Sequence, residues 1–122
     1  MKKLFVLLFG LALSSNVSAT TNAGAGQKWY GPYTISKVAR YWDGGHRITV
    51  HVNEKMQTPC EVTNTEGKVS YNVSVNTNIH SDWLFSASAT AQSQNKKVML
   101  LLDRTCAPNY GLNLHGVEIL SE

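Results

Sequence analysis

The sequence predicts a mostly β domain with one helix, in the order strand, strand, strand, helix, strand, strand. Polar and apolar residues alternate along Lys68–Val75, as they do in a strand with one buried face. Residues 81–95 contain no Gly or Pro and are rich in Ala, which favours a helix. Val98–Leu102 is a run of five apolar residues, typical of a strand that is covered on both faces.

Residues 1–19 have the pattern of an export signal. Lys2 and Lys3 precede the ten-residue apolar run Leu4–Leu13, and Val17-Ser18-Ala19 has the small residues of a cleavage site. A helix that crosses a bilayer needs about 20 apolar residues, so the run is too short to be a membrane span. We therefore expect cleavage after Ala19 and a secreted or periplasmic mature chain.

The net charge at first suggests an anionic partner. The whole chain carries +3 at pH 7, which favours nucleic acid or an anionic membrane surface. Two of its eleven Lys and Arg residues, however, belong to the predicted signal. The mature chain is thus close to neutral as well as exported, and we expect no nucleic-acid partner.

The mature chain is predicted to be one domain, residues 33–122, preceded by a leader, residues 20–32, that starts with small polar residues and is flexible. Within the domain, Tyr33–Trp42 and Arg47–Asn53 are predicted to form a hairpin. The residues between them, Asp43-Gly44-Gly45, are typical of a tight turn.

The middle of the domain changes from strand to helix. Cys60-Glu61-Val62 is predicted to be a short edge strand, and Lys68–Val75 the third main strand. The helix is predicted over residues 81–95. Ser81 would be its N-cap, and Asp82 would place a negative charge in the first turn, where the helix dipole favours it.

Two strands are predicted to complete the domain, Val98–Asp103 and Leu112–Leu120. In the last of them the apolar residues change from even to odd positions at His115-Gly116. A change of parity within one strand indicates an extra residue, so we predict a β-bulge at this point.

Cys60 and Cys106 are the two cysteines of the chain. In an exported domain they are expected to form a disulfide. The bridge would close a loop of about 47 residues and stabilise the fold by about 4 kcal/mol. A catalytic thiol or a pair of metal ligands are the alternatives, although the sequence has neither a CxxC spacing nor a neighbouring His to support them.

The sequence contains no recognisable catalytic or metal-binding pattern. No two of the four His residues have the spacing of a compact ligand pair, and the carboxylates are scattered. A GxSxG nucleophile motif and a glycine-rich phosphate loop are both missing. We therefore expect no metal, no cofactor and no enzymatic activity. The His residues are His46, His51, His80 and His115.

Aromatic residues are concentrated at the start of the mature chain, and they are Trp29, Tyr30, Tyr33, Tyr41 and Trp42. Such side chains either belong to the core or present large, rigid contact areas to a ligand. In the second case Trp42 would stack on a sugar ring, while polar groups around the turn bind its hydroxyls. The candidate ligand-binding residues are Arg40, Trp42, Asp43 and His46.

The order of strands and helix resembles that of the small OB-fold B-subunits of bacterial toxins, in particular the pertussis and subtilase types. The residues that carry the resemblance are Trp83–Ala91, Asn95–Val98, Leu100–Asp103, Cys106 and Gly116–Ile119. The resemblance spans residues 33–120 and implies a five-stranded OB-fold barrel, a homo-oligomer such as a pentamer, and host glycans as partners. A companion exported protein is the alternative to a host glycan as partner.

The sequence thus predicts an exported binding module, similar to a toxin B-subunit, that recognises a carbohydrate. An alternative is a periplasmic OB-fold protein with a structural, stress or inhibitor role that binds a protein partner. A small hydrolase is the least favoured interpretation, because no set of residues supports it.

Overall fold

A computed structural model of the chain describes residues 19–71 and 78–121. The predicted export signal lies outside these residues except for Ala19, and so does the second half of the strand predicted over residues 68–75. Neither helix in the described part is long and apolar enough to span a membrane.

The described chain is mostly β and contains six strands and two helices. The strands are β1 Ala19–Gly24, β2 Gln27–Trp42, β3 His46–Val52, β4 Lys68–Tyr71, β5 Lys97–Ala107 and β6 Gly111–Ile119. The helices are α1 Glu61–Glu66 and α2 Asn78–Ser93.

All six strands belong to one sheet, in the order β1-β2-β3-β4-β6-β5. Because β2 also pairs with β5, the strands β2, β3, β4, β6 and β5 are linked in a ring, and β1 lies outside it. The pairing of β4 with β6 is parallel, whereas the other pairs are antiparallel.

The length of β2 allows it to take part in two pairings. Its first half pairs with β5 and its second half with β3. The register with β5 shifts between Tyr30 and Tyr33, across Gly31-Pro32. A Cβ atom on Gly31 would lie 2.8 Å from the Val98 carbonyl oxygen, so only glycine lets the two backbones approach so closely here.

The core lies inside the ring, and each of the five strands of the ring contributes alternate apolar side chains to it. α2 covers part of it with Leu84, Ser88 and Ala91, which are spaced four and three residues apart and lie on one helical face. The side chains with the least exposure are Ile48, Val50, Val69, Leu100, Leu102, Leu112 and Leu114.

The predicted disulfide is present. Cys60 and Cys106 are bonded, with 5.4 Å between their Cα atoms. Cys60 is fully buried immediately before α1, and Cys106 lies near the end of β5. The bridge therefore fastens the short helix to the sheet.

The structure corrects the prediction for the segment that follows Cys60. It forms the short helix α1 and not an edge strand. The hydroxyl of the buried Thr63 donates to the Lys68 carbonyl at 2.8 Å and accepts the Leu112 amide at 2.8 Å. Gly67 ends the helix with a φ of 63°. Contacts with distant strands thus determine that this segment is helical, and the local sequence pattern does not reveal these contacts.

The start of the described chain also differs from the prediction. Residues predicted to be a flexible leader form β1, which is paired with the beginning of β2. Gly24 and Gly26 have φ angles of 81° and 74°, and they form the turn between the two strands. Main-chain pairing orders this polar segment although it contributes no apolar side chain to the core.

The predicted helix and bulge are both found. α2 starts at Asn78, so Ser81 lies inside the helix and is not its N-cap. The ladder between β5 and β6 passes from the pair Leu101–Gly116 to the pair Leu102–Leu114. His115 is therefore the extra residue of a bulge in β6, at the predicted position.

Candidate functional site

The four candidate residues lie around the turn between β2 and β3. Trp42 and His46 form the last pair of the hairpin, and the Asp43 amide donates to the Gly45 carbonyl at 3.0 Å. Two further side chains, which the sequence did not indicate, contact this turn. We call the whole group the hairpin surface, and its residues are Arg40, Trp42, Asp43, His46, Arg47 and Tyr110.

Trp42 provides the largest exposed ring of the hairpin surface. Its side chain is 64% exposed, and its ring meets the His46 ring edge to face, with 5.1 Å between the centroids. Tyr41 is also exposed, and its hydroxyl contacts the Thr49 hydroxyl at 3.0 Å. The alternative that Tyr41 and Trp42 belong to the core is therefore wrong, because β2 extends beyond the core at this end.

Arg40 holds its neighbours in place. Its Nε donates to Asp82 Oδ1 at 2.9 Å, and its Nη2 lies 3.2 Å from His46 Nδ1. A guanidinium group only donates hydrogen bonds, so Nδ1 accepts and the proton of the neutral imidazole is on Nε2. His46 Nε2 is therefore a donor, and it has no partner among residues 19–71 and 78–121.

Asp43 is anchored from the other side of the turn. Its Oδ2 accepts a hydrogen bond of 2.5 Å from the Tyr110 hydroxyl. This hydrogen bond raises the pKa of Tyr110. The Arg47 guanidinium lies over the Tyr110 ring, 4.7 Å from its centroid, and donates to the Asp43 carbonyl at 3.5 Å. Oδ1 of Asp43 accepts no hydrogen bond from the described residues.

The hairpin surface therefore combines an open indole ring with one free donor, His46 Nε2, and one free acceptor, Asp43 Oδ1. Its fixed charges balance, because Arg40 and Arg47 are matched by Asp43 and Asp82. This combination suits a neutral ligand that has an apolar face and several hydroxyl groups.

A concave region, which no sequence pattern indicates, lies between α2 and β6. Its volume is about 430 Å³. We call this region the aromatic cleft, and its lining residues are Tyr71, His80, Trp83, Leu84, Ala87, His115 and Val117.

Three rings form one side of the aromatic cleft. The Tyr71 hydroxyl lies 3.2 Å from His80 Nδ1, and these two rings meet at 74°. The His80 and Trp83 rings meet at 69°, with 5.5 Å between their centroids. Trp83 is 65% exposed, so most of its ring is open to solvent.

His115, on the other side of the cleft, is fixed by Asp103. His115 Nε2 lies 2.7 Å from Asp103 Oδ2, which also accepts from Asn113 Nδ2 at 3.1 Å. The Thr105 amide donates to Oδ1 at 2.7 Å. Burial of Asp103 alone would raise its pKa, but the hydrogen bonds from His115, Thr105 and Asn113 outweigh burial and lower it.

Within the described part of the chain, no group of three or more His, Cys, Asp or Glu side chains could hold a metal ion. Comparison with protein-family models, with curated proteins and with solved structures finds no match to this chain. The function must therefore be argued from the geometry of the chain itself.

Proposed function

We propose that this chain is an exported binding module that recognises a carbohydrate at the hairpin surface. The observation that carries the proposal is the open ring of Trp42, 64% exposed and fixed against His46 beside the free oxygen of Asp43. The proposed role is binding and not catalysis, and it needs neither a metal nor a cofactor.

The chemistry of a pyranose fits these groups. Its C–H face would pack on the indole of Trp42, which loses little conformational entropy on binding because it has only two side-chain torsions. Its hydroxyls both donate and accept, so one can donate a hydrogen bond to Asp43 Oδ1 while another accepts one from His46 Nε2. Arg40 would act as a positioning residue, because it fixes the imidazole of His46.

The proposal includes an OB-fold. In that fold five strands close a barrel, and a helix lies between the third and fourth strands. The ring β2-β3-β4-β6-β5, with α2 between β4 and β5, supports this assignment. The presence of one disulfide supports an oxidising compartment, as expected for a secreted or periplasmic protein. In line with the resemblance to toxin B-subunits, we propose host glycans as ligands, a homo-oligomer such as a pentamer, and a companion exported protein.

A glycan array tests the proposal, with full-length protein that has been exported by a bacterial host and purified from its periplasm. The wild type should bind at least one class of glycan. Trp42→Ala should weaken that binding about tenfold, as expected when a central aromatic contact is lost. Trp42→Phe should retain much of it. Ile119→Ala, which also shortens an exposed apolar side chain, is the matched control and should bind like the wild type.

A blank array, at protein concentrations that detect millimolar sites through multivalency, would overturn the proposal. So would binding that Trp42→Ala leaves unchanged. Light scattering on the same sample gives the oligomeric state, and a pentamer would support the likeness to toxin B-subunits.

The composition of the hairpin surface favours a second candidate, binding of a protein partner. Trp42, Arg47, Tyr110 and the neighbouring Tyr41 are of the three residue types that dominate protein–protein hot spots. In this case the chain would be a periplasmic OB-fold protein with a structural, stress or inhibitor role. It would be monomeric in light scattering and would co-purify with one envelope protein, and Trp42→Ala would abolish that association.

A further inference from the structure

The aromatic cleft lies outside the hairpin surface, and its two sides have different chemistry. His80, Trp83, Leu84 and Ala87 occupy one face of α2, at helical spacings of three, four and seven residues from the first. The opposite side is formed by β6. With Tyr71 of β4, the cleft is thus built on three regular elements, and its volume of about 430 Å³ lies in the range of small-molecule sites.

The ligand of this cleft should be uncharged. The lining contributed by the described residues includes no Lys, Arg, Asp or Glu. The carboxylate that contacts the lining residue His115 is Asp103, and it already accepts hydrogen bonds from His115, Asn113 and Thr105. A charged ligand would therefore lose its hydration without gaining a counter-charge.

His115 supplies a hydrogen-bond acceptor. Its Nε2 donates to Asp103, so in the neutral ring Nδ1 carries a lone pair. Nδ1 has no partner within residues 19–71 and 78–121. A bulge changes the direction of the side chain of its extra residue, and His115, the extra residue of the bulge in β6, lines the cleft.

An apolar surface lies in the same cleft as this acceptor. Leu84 is buried, and Ala87 and Val117 are partly buried. An acetamido group has an N–H that needs an acceptor and a methyl group that favours an apolar surface. A hydroxyl in the same place would satisfy the acceptor but would leave the apolar surface uncovered.

We propose that the aromatic cleft is a second sugar-binding site, selective for neutral N-acetylated hexosamines. The ring of the sugar stacks on Trp83, the acetamido N–H donates to His115 Nδ1, and the acetyl methyl packs against Leu84, Ala87 and Val117. This inference rests on the proposed carbohydrate-binding function and extends it to a separate site and a named class of sugar.

The inference is tested by titrating the exported protein with four probes and monitoring the chemical shifts of its backbone amides by NMR. The probes are the methyl glycosides of N-acetylglucosamine, glucose, N-acetylgalactosamine and galactose. The N-acetylated member of at least one pair should bind about tenfold tighter than its partner, as expected for an added apolar group in a fitting pocket. The shifts should be concentrated at residues 80–87 and 115–117.

Three variants separate the contributions. Ala87→Leu places a larger side chain over the apolar surface, where the acetyl methyl would pack. It should therefore remove the preference for the N-acetylated sugar. Ser86→Leu adds a side chain of the same size at an exposed position outside the lining and should keep the preference. Trp83→Ala, at an exposed ring, should weaken both members of the pair about tenfold. Thermal melts establish that each variant is folded.

Three results would overturn this inference. They are equal affinity for the two sugars of both pairs, no binding of any probe, and a preference for the N-acetylated sugar that survives in Ala87→Leu. None of these results affects the Trp42-dependent binding measured on the glycan array. Conversely, loss of array binding with intact selectivity in the cleft would overturn the role of the hairpin surface alone.

Discussion

Arg40 and Asp82 join the hairpin to the long helix, since Arg40 Nε donates to Asp82 Oδ1 at 2.9 Å. A second link lies beside it, where the Ser81 hydroxyl donates to the His46 carbonyl at 3.0 Å. The same helix carries Trp83 and Ala87 into the aromatic cleft. The two proposed sites therefore both depend on the position of α2.

The ion pair between Arg40 and Asp82 should add little to stability and more to binding. Asp82 is 59% exposed, so a double-mutant cycle with Arg40→Ala and Asp82→Ala should give a coupling energy below about 1 kcal/mol. Arg40→Ala should also weaken sugar binding, because it releases His46, whereas Asp82→Ala should weaken it less. Urea unfolding measures the effect on stability, and the glycan array measures the effect on binding. Equal losses of binding in Arg40→Ala and Asp82→Ala would contradict the positioning role of Arg40.

Removal of the disulfide should destabilise the fold strongly. Cys60 is fully buried, and the bridge spans 46 positions of the chain. Chain entropy alone gives about 4 kcal/mol for a loop of this length. Urea unfolding with and without reductant should show a loss of this order. The Cys60→Ala/Cys106→Ala double variant is the control, since reductant should leave its unfolding midpoint unchanged.

Asp103 should make the free energy of unfolding depend on pH in the acidic range. Although burial opposes it, hydrogen bonding lowers the pKa of Asp103 in the folded state below its ordinary value of 3.8. A carboxyl with a lowered pKa contributes stability that is present above the unfolded value and is lost as pH falls through the folded value. Unfolding free energies measured from pH 5 downward should therefore fall less steeply in Asp103→Asn. An unchanged slope below 3.8 would contradict the assignment.

Two glycines with similar backbone angles should respond differently to alanine. Gly44 and Gly111 have φ angles of 68° and 78°. A Cβ on Gly44 would meet no atom within 4 Å, so Gly44→Ala should cost about 1 to 2 kcal/mol of backbone strain alone. A Cβ on Gly111 would overlap the Lys68 carbonyl and the Thr63 hydroxyl. Gly111→Ala should thus lower the free energy of unfolding considerably more, and equal costs would contradict the packing described here.

Features with a local signal could be predicted from the sequence. The turn at Asp43-Gly44-Gly45, the Ala-rich helix and the bulge at His115 each depend on a few neighbouring residues. The disulfide followed from the number of cysteines and the expected compartment. In contrast, α1 depends on two hydrogen bonds of the Thr63 hydroxyl, which donates to the Lys68 carbonyl and accepts from the Leu112 amide. Leu112 is too far along the chain for a local sequence pattern to include it.

The candidate sites were predictable only in part. Arg40, Trp42, Asp43 and His46 were found because they surround one turn. Tyr110 was missed because it is 67 positions away from Asp43, and only the fold brings its hydroxyl to that carboxylate. The aromatic cleft was missed for the same reason, since its two sides come from α2 and β6, which no pattern in the sequence pairs with each other.

The position of β1 has a consequence for solubility. In the described sheet β1 is an end strand, which pairs with β2 on one side and leaves backbone amides and carbonyls open on the other. Open edges of this kind promote aggregation when they are long and apolar. This edge has six residues, Ala-Thr-Thr-Asn-Ala-Gly, without a large apolar side chain. A second molecule that added a strand here would bury almost no hydrocarbon, so this edge offers little hydrophobic driving force for edge-to-edge aggregation.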